Sequence, residues 1–242
     1  MQMFGKSDPG RVRITNQDTF AIKELSQQTC YAIICDGMGG VKGGDVASRL
    51  AVETVSELLE KNYRPKMNLN AVKSMLTTAI THANVKIHQT AKENPDYAGM
   101  GTTIIVFFVM DSTAFIAHVG DSRAYVINGM YVFQLTRDHT MVQALVDQGK
   151  LSASEAKAHP EKNIITRALG VHASVDIDYM ETKLSPDDVI LLCTDGLYSY
   201  VEPEEIKEIC LKEGVENATD MLIELANKRG GSDNITVVAL AK

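Results

Sequence analysis

The sequence predicts an α+β fold. Apolar, β-branched segments come in consecutive groups, and amphipathic stretches with a 3.6-residue period come in pairs, so the two kinds do not alternate as β-α-β units would. Strands are expected where Val, Ile, Thr and aromatic residues cluster between turn residues, first at Thr19–Ile22 and Cys30–Cys35. The next group runs through Thr102–Met110, Ala114–Val119, Ala124–Ile127 and Tyr131–Leu135, with Asn128-Gly129 suited to a tight type I′ hairpin turn. Val175–Thr182, Val189–Cys193 and Ile235–Leu240 complete the set. Helices fit Val46–Glu60, with Val46, Leu50, Val55, Leu58 and Leu59 on one face, and Ala71–Thr90, with Val72, Met75, Leu76, Ala79, Ala83 and Ile87. Shorter helices fit Met141–Gln148, Ala153–Ala158, Glu204–Leu211 and Ala218–Lys228. Ser152 followed by Glu155 is a capping box that marks the start of one of them.

Composition narrows the function. The 242 residues, 45% hydrophobic and 23% charged, suit one globular domain over 1–242. The net charge of −7, without a Lys/Arg cluster, argues against nucleic acid and anionic membranes as partners. The longest apolar run, Ile104–Met110, is too short to span a bilayer, and "MQMFGKSDPGRVR" has no apolar stretch of the signal-peptide kind. Cys30, Cys35, Cys193 and Cys210 show no C-x-x-C spacing, and three lie in apolar runs, as expected of core thiols in a reducing compartment. These features point to a cytoplasmic protein.

One pattern recurs. "AIICDG" carries an apolar strand into Asp36 and Gly37, and "VILLCTDG" does the same at Asp195 and Gly196. "FIAHVGDSR" ends a strand at Asp121, "GGSDNITVVAL" sets Asp233 before one, and "RITNQDTF" places Asp18 at the mouth of another. A single Asp-Gly pair is an ordinary turn. Five aspartates at strand tips of one core repel each other unless a cation lies among them. Oxygen ligands select a hard cation, Mg²⁺ or Mn²⁺, rather than zinc or iron. The histidines show no metal-ligand spacing; His118 reads as a core residue and His139 as a turn residue or an indirect support.

With these residues in place, the chain resembles the compact bacterial form of the metal-dependent serine/threonine protein phosphatases of the type 2C family. The segments "GRVRITNQD", "CDGMGGVKGGDVASRLA", "MGTT", "AHVGDSRAY", "LTRDHT", "NIITRALG", "LLCTDGL" and "GGSDNITVV" follow the family's order from Gly10 to Val238. The resemblance implies two packed antiparallel sheets flanked by pairs of helices, with a metal cleft at one end. It implies two Mn²⁺ or Mg²⁺ ions, with Asp36 bridging them, the Gly37 carbonyl on the second, and Asp195 and Asp233 completing the first. Asp18 would hold water on the metals, Arg13 would grip the phosphate, and Asp121 would hold a third, weaker ion. Gly39, Gly40, Gly43 and Gly44 would fold a loop over the metals before the helix at Val46.

The reaction implied is hydrolysis of phosphoserine and phosphothreonine in proteins by a water activated between the ions, without a phosphoenzyme. The demand on catalysis supports metals. Phosphate monoester hydrolysis is accelerated by enzymes up to about 10²¹-fold, or roughly 28 kcal/mol, whereas one general acid or base supplies about 10²–10⁴. The implied partners are phosphorylated proteins and a Ser/Thr kinase whose marks are removed, and the chain would act as a monomer. Two positions depart from relatives: Met38 stands where eukaryotic forms carry a histidine, and Ser199 where others place an acid for the third ion. Arg13 alone would read as a surface arginine, and Asp121 in "GDSR" as a turn residue. Thr140–Lys162, the family's flap, reads equally as a solvent-facing helical hairpin and as a substrate-selecting element.

Overall fold

Cys30, Ala32 and Ile34 face one way from their strand and Tyr31, Ile33 and Cys35 the other, and all six are buried. Both faces of a strand are covered only if the sheet lies between two other layers. The computed structural model describes residues 1–241, apart from the side chains at positions 41 and 42, and has this arrangement. One sheet has the order β1-β11-β10-β7-β8, built from β1 (Gln2–Asp8), β7 (Arg123–Ile127), β8 (Val132–Gln134), β10 (Val189–Cys193) and β11 (Ile235–Ala241). The other has the order β2-β3-β5-β6-β9, from β2 (Asp18–Ser26), β3 (Thr29–Met38), β5 (Ile104–Met110), β6 (Thr113–Val119) and β9 (Asp178–Lys183). The short β4 (Gly101–Thr102) adds to β3, and every strand pairing is antiparallel.

The core between the sheets holds Ala32, Ile34, Ile105, Phe107 and Ile116 from one and Val126, Ile190, Leu192, Val238 and Leu240 from the other. The outer face of the β3 sheet packs on α1 (Gly40–Asn62) and α2 (Leu69–Glu93) through Val55, Leu59, Leu76 and Ile80. The outer face of the β10 sheet packs on α6 (Pro203–Lys228) through Ile206, Leu222 and Ile223. The two sheets and flanking helices of the expectation are therefore present.

Several boundaries move. The second helix pair, expected as Glu204–Leu211 and Ala218–Lys228, is one run broken at Gly214, where φ is 73°. The stretch expected as a single strand, Thr102–Met110, divides at Thr103, whose backbone and hydroxyl bond elsewhere. The strand expected from Val175 begins at Asp178. Gly40, Gly43 and Gly44 are not a loop before Val46, because α1 already starts at Gly40 and Gly39 is its N-cap. Gly37 shows why helix wins over glycine's poor propensity. A Cβ there would sit 2.0 Å from the Gly44 carbonyl oxygen and 2.6 Å from that of Gln17, so strand tip and helix start meet backbone to backbone. The strand β1 and the one-turn helix α5 (Asp195–Tyr198) were not expected. In the flap region, α3 (Met141–Asp147) and α4 (Ala153–Ala158) form as expected, with the Ser152–Glu155 capping box intact.

Candidate active site

At the open end of the β2–β3 hairpin each strand carries an acid, Asp18 as the first residue of β2 and Asp36 two residues before the end of β3. Asp18 and Asp36 are register partners across the antiparallel pair, an arrangement that sets like charges face to face. The other sheet brings Asp195, first residue of α5 after β10, and Asp233, two residues before β11. Asp121 follows β6 in the turn toward β7. Asp36, Asp121, Asp195 and Asp233 line one cleft of about 810 Å³ at the end of the sandwich, together with Arg13, Gly37, Met38, Thr103 and Asn163. Asp18 lies behind them, buried at the seam between the sheets.

The backbone around Asp36 is pinned from both sides. Its carbonyl accepts from Thr103 N–H at 2.9 Å and from the Thr102 hydroxyl at 2.8 Å, and its own N–H donates to the Thr103 hydroxyl at 2.9 Å. This is the physical content of "MGTT". Asp18 is gripped across the seam: the Thr194 and Thr236 hydroxyls donate to its Oδ2 at 2.9 and 2.7 Å. Its Oδ1 is buried with no hydrogen-bond partner among the described residues. Asn234 ties down the segment carrying Arg13, donating to the carbonyls of Pro9 and Thr15 and accepting from Gln17 N–H. A Cβ on Gly196 would lie 2.0 Å from the Asn234 carbonyl, so the Asp195 turn and the Asp233 loop are packed backbone to backbone.

The electrostatics of the cleft are unbalanced. Asp36 and Asp195 keep part of their surface open to the cleft but lie deep enough for desolvation to dominate. Burial, followed by repulsion from Asp18, Asp195, Asp121 and Asp233, holds the Asp36 carboxyl well above the carboxylate range. Burial and then Asp121, Asp233 and Asp18 push Asp195 up to about 8. Asp18 is pushed up to about 7 by burial, against the pull of the Thr236 and Thr194 hydroxyls. Asp121 rises to about 6 through burial and then Asp138, while the Tyr198 hydroxyl, 3.2 Å from its Oδ2, draws it back. Arg13, at the mouth, reaches in to pair with Asp233 at 2.7 Å, and no other Lys or Arg lines the cleft among the described residues. An orphaned carboxylate oxygen amid mutually repelling acids, all offering oxygen donors, fits a hard divalent cation.

All five aspartates, Gly37 and Arg13 thus meet at one end of the sandwich. Thr194, Thr236, Asn234 and Thr103 had not been singled out, although all four lie within the motif segments; a lone hydroxyl or amide beside a strand-end acid was the available signal. Ser199 lies exposed at the end of α5. Away from the floor of the cleft, His118, His139 and Asp178 bring a ligand atom each within 4.8 Å of one another. His118 is a core residue as expected, and His139, expected as a turn residue or an indirect support, is buried.

The same fold occurs in solved bacterial serine/threonine phosphatases. The structure superposes on serine/threonine phosphatase Stp1 from Staphylococcus aureus with a TM-score of 0.93 at 36% identity, covering 100% of this chain and 94% of that one. For the Mycobacterium tuberculosis serine/threonine phosphatase PstP/Ppp the TM-score is 0.89 at 34% identity, covering 100% and 98%. In sequence, the chain is 37% identical over 238 residues to serine/threonine phosphatase stp of Listeria monocytogenes, 98% of this chain and 94% of that protein. It is 35% identical over 236 residues to protein phosphatase PhpP of Streptococcus pneumoniae, 97% and 95%. The chain belongs to the protein phosphatase 2C family, whose pattern matches residues 11–235.

Proposed function

We propose that this chain removes phosphate from phosphoserine and phosphothreonine in proteins, using Mn²⁺ or Mg²⁺ held by Asp36, the Gly37 carbonyl, Asp195 and Asp233. The observation that carries the reading is the uncompensated charge of the cleft, where strand-end acids from both sheets converge and the Asp18 Oδ1 has no partner. When bound, two hard cations lower the pKa of a water and neutralise charge on the phosphoryl oxygens. The chain's own residues do the rest. Arg13, on an exposed segment at the mouth, exchanges Asp233 for the substrate phosphate, which a guanidinium can grip through two parallel hydrogen bonds. Asp18, fixed by two hydroxyls, presents its free oxygen as an acceptor to water at the floor of the cleft. Asp121 would help hold a third, weaker cation, toward which Ser199 offers no carboxylate.

The same proposal takes residues 1–242 as one catalytic domain that acts as a cytoplasmic monomer opposite a Ser/Thr kinase. The four free, buried thiols support the reducing compartment, and no described helix is long and apolar enough to cross a membrane. The reading is tested by release of phosphate from phosphoserine, phosphothreonine and phosphotyrosine peptides, before and after chelation. Turnover of the first two, lost with chelator and restored by Mn²⁺ or Mg²⁺, is expected. Chelator-resistant turnover, or equal turnover of phosphotyrosine, would overturn it.

A further inference from the structure

His139 sits where three segments cross. Its ring Nδ1 accepts the Gly120 N–H at 3.0 Å, its own N–H donates to the Gly120 carbonyl at 3.0 Å, and its carbonyl accepts Thr166 N–H at 2.8 Å. Gly120 is the residue before Asp121 and has φ of 106°; a Cβ there would lie 2.5 Å from Thr103 Cγ2, so the turn is pressed against the segment that pins Asp36. The loop of His139 therefore sets where Asp121 enters the cleft.

The bond to Gly120 depends on which ring nitrogen carries the proton. An amide N–H can be accepted only by a nitrogen with a free lone pair, so Nδ1 is bare and Nε2 carries the hydrogen. Nε2 faces Asp178 Oδ2 at 3.3 Å, and Asp178 is held by Arg167 Nη1 at 2.6 Å. The opposite face of the problem is His118, whose ring stacks on His139 at 4.8 Å between centroids and 15° between planes, and whose Nε2 lies 3.0 Å from the Arg137 carbonyl. A neutral imidazole with Nδ1 taken by an amide and Nε2 protonated has no lone pair for a cation. His118, His139 and Asp178 are accordingly not arranged to share a metal, despite spacing that would suit one; Asp178 stands beside the His139 Nε2, which is buried without a hydrogen bond of good geometry among the described residues.

We propose that His139 is a positioning residue for Asp121, and that Arg167 and Asp178 act through it by fixing its Nε2–H tautomer. Asp178 has the part an acid plays beside a catalytic histidine, orienting the ring and choosing its tautomer, but here the product is a fixed strand tip. The flap is tied to the same point, since Thr166 and Arg167 close its return path and Met141 N–H bonds Ile164 across its base at 2.9 Å. The functional part of this inference rests on the proposed work of Asp121 in the cleft; the tautomer part does not.

The test uses the full chain and three variants. In the metal-free wild type, ring ¹⁵N shifts should show the Nε2–H tautomer at His139 and an exchange-protected Gly120 amide. Asp178→Asn, at a half-exposed position, should shift the proton toward Nδ1 and expose that amide. Mg²⁺ titration followed at the Asp121 backbone amide should give an apparent Kd at least tenfold weaker in Asp178→Asn and His139→Phe. With p-nitrophenyl phosphate and Mn²⁺, both should lose kcat about tenfold with KM within twofold. His139→Asn, whose side-chain oxygen can take the place of Nδ1, should recover most of the loss. Unchanged tautomer, amide and Mg²⁺ affinity in Asp178→Asn would overturn the proposal, as would a His139→Phe that melts lower yet turns over normally per folded molecule. If the wild type hydrolyses no phosphoester, the functional reading fails, and the ¹⁵N and Mg²⁺ arms still decide whether His139 positions Asp121.

Discussion

Two clusters of ionisable groups, a few residues apart in sequence at Gly120–Asp121, are built on opposite principles. The cluster of Arg167, Asp178, His139 and His118 balances its charge from within: the acid has its arginine, one nitrogen of each ring has a hydrogen-bond partner, and burial keeps both histidines below their usual pKa. The cleft is left unsatisfied. Four carboxylates line it and a fifth lies behind, against one arginine, and desolvation raises Asp18, Asp36, Asp121 and Asp195 together. One cluster balances its charge and its neighbour does not, and perturbed acids gathered in a cleft are the pattern of a functional site rather than of a packing failure. Under the proposed function, bound cations supply the charge that the cleft lacks.

The sharpest way to break the contrast is Asp36→Asn. Asp36 feels every other acid of the cleft, so the change removes the proposed bridging ligand and also the focus of repulsion. Turnover should fall at least about 10³-fold, roughly 4 kcal/mol, while the metal-free protein melts about 2–4 °C higher if about 1 kcal/mol of repulsion is relieved. Calorimetry of the metal-free protein and an assay in excess Mn²⁺ check both halves; a lower melting temperature would mean that the cleft acids are not in conflict.

Arg13→Ala should be milder. A charge-assisted phosphate contact is worth about 1.5–3 kcal/mol, and its loss should raise KM about tenfold to hundredfold with kcat little changed, as loss of uniform binding does. Steady-state kinetics separates the outcomes, since a fall in kcat alone would place Arg13 in the chemistry rather than in substrate capture.

The smallest effect is the pH dependence of metal-free stability, where the clusters differ in sign. The cleft acids have folded pKa values raised above the ordinary 3.8 of an aspartate, Asp121 to about 6, Asp18 to about 7 and Asp195 to about 8. Between pH 4 and 8 the folded state therefore holds more protons than the unfolded chain, so their stabilisation is present at low pH and lost as pH rises. The histidines are depressed below 6.5, so their contribution is present above that pH and lost as pH falls. Melting of the metal-free protein should decline from about pH 6.5 toward 8.5, and saturating Mg²⁺ should flatten that limb by binding the ionised acids. His139→Asn should instead flatten the acidic limb. A metal-free protein that grows more stable from pH 6.5 to 8.5 would contradict the picture of the cleft.

Asp36, Asp195 and Asp233 were legible because an acid beside glycine or asparagine at the end of an apolar run is a local pattern, whereas Arg13 was singled out only by the family resemblance. The strand β1 was not legible: its residues are half-exposed and mixed in polarity, and it is a strand because β11 offers it a full row of partners from Gln2↔Ala241 to Asp8↔Ile235. The start of α1 at Gly40 ran against propensity for the same kind of reason, with contacts between Gly37 and Gly44 overriding it. The single domain and the metal roles stay with the proposed function.

The amino-acid order by itself determined which residues could carry the chemistry and which strands would hold them, because alternation and strand-end acids are properties of neighbouring positions. The tertiary structure decided which oxygens are satisfied. Thr194 and Thr236 reach Asp18 from 176 and 218 residues away, and no periodicity registers a hydroxyl on or just beyond a strand of the opposite sheet. The same holds for His139, whose tautomer is set by Asp178 on β9 and read by Gly120 beyond β6. Proton position follows from the partners that packing supplies, and packing is a property of the whole chain.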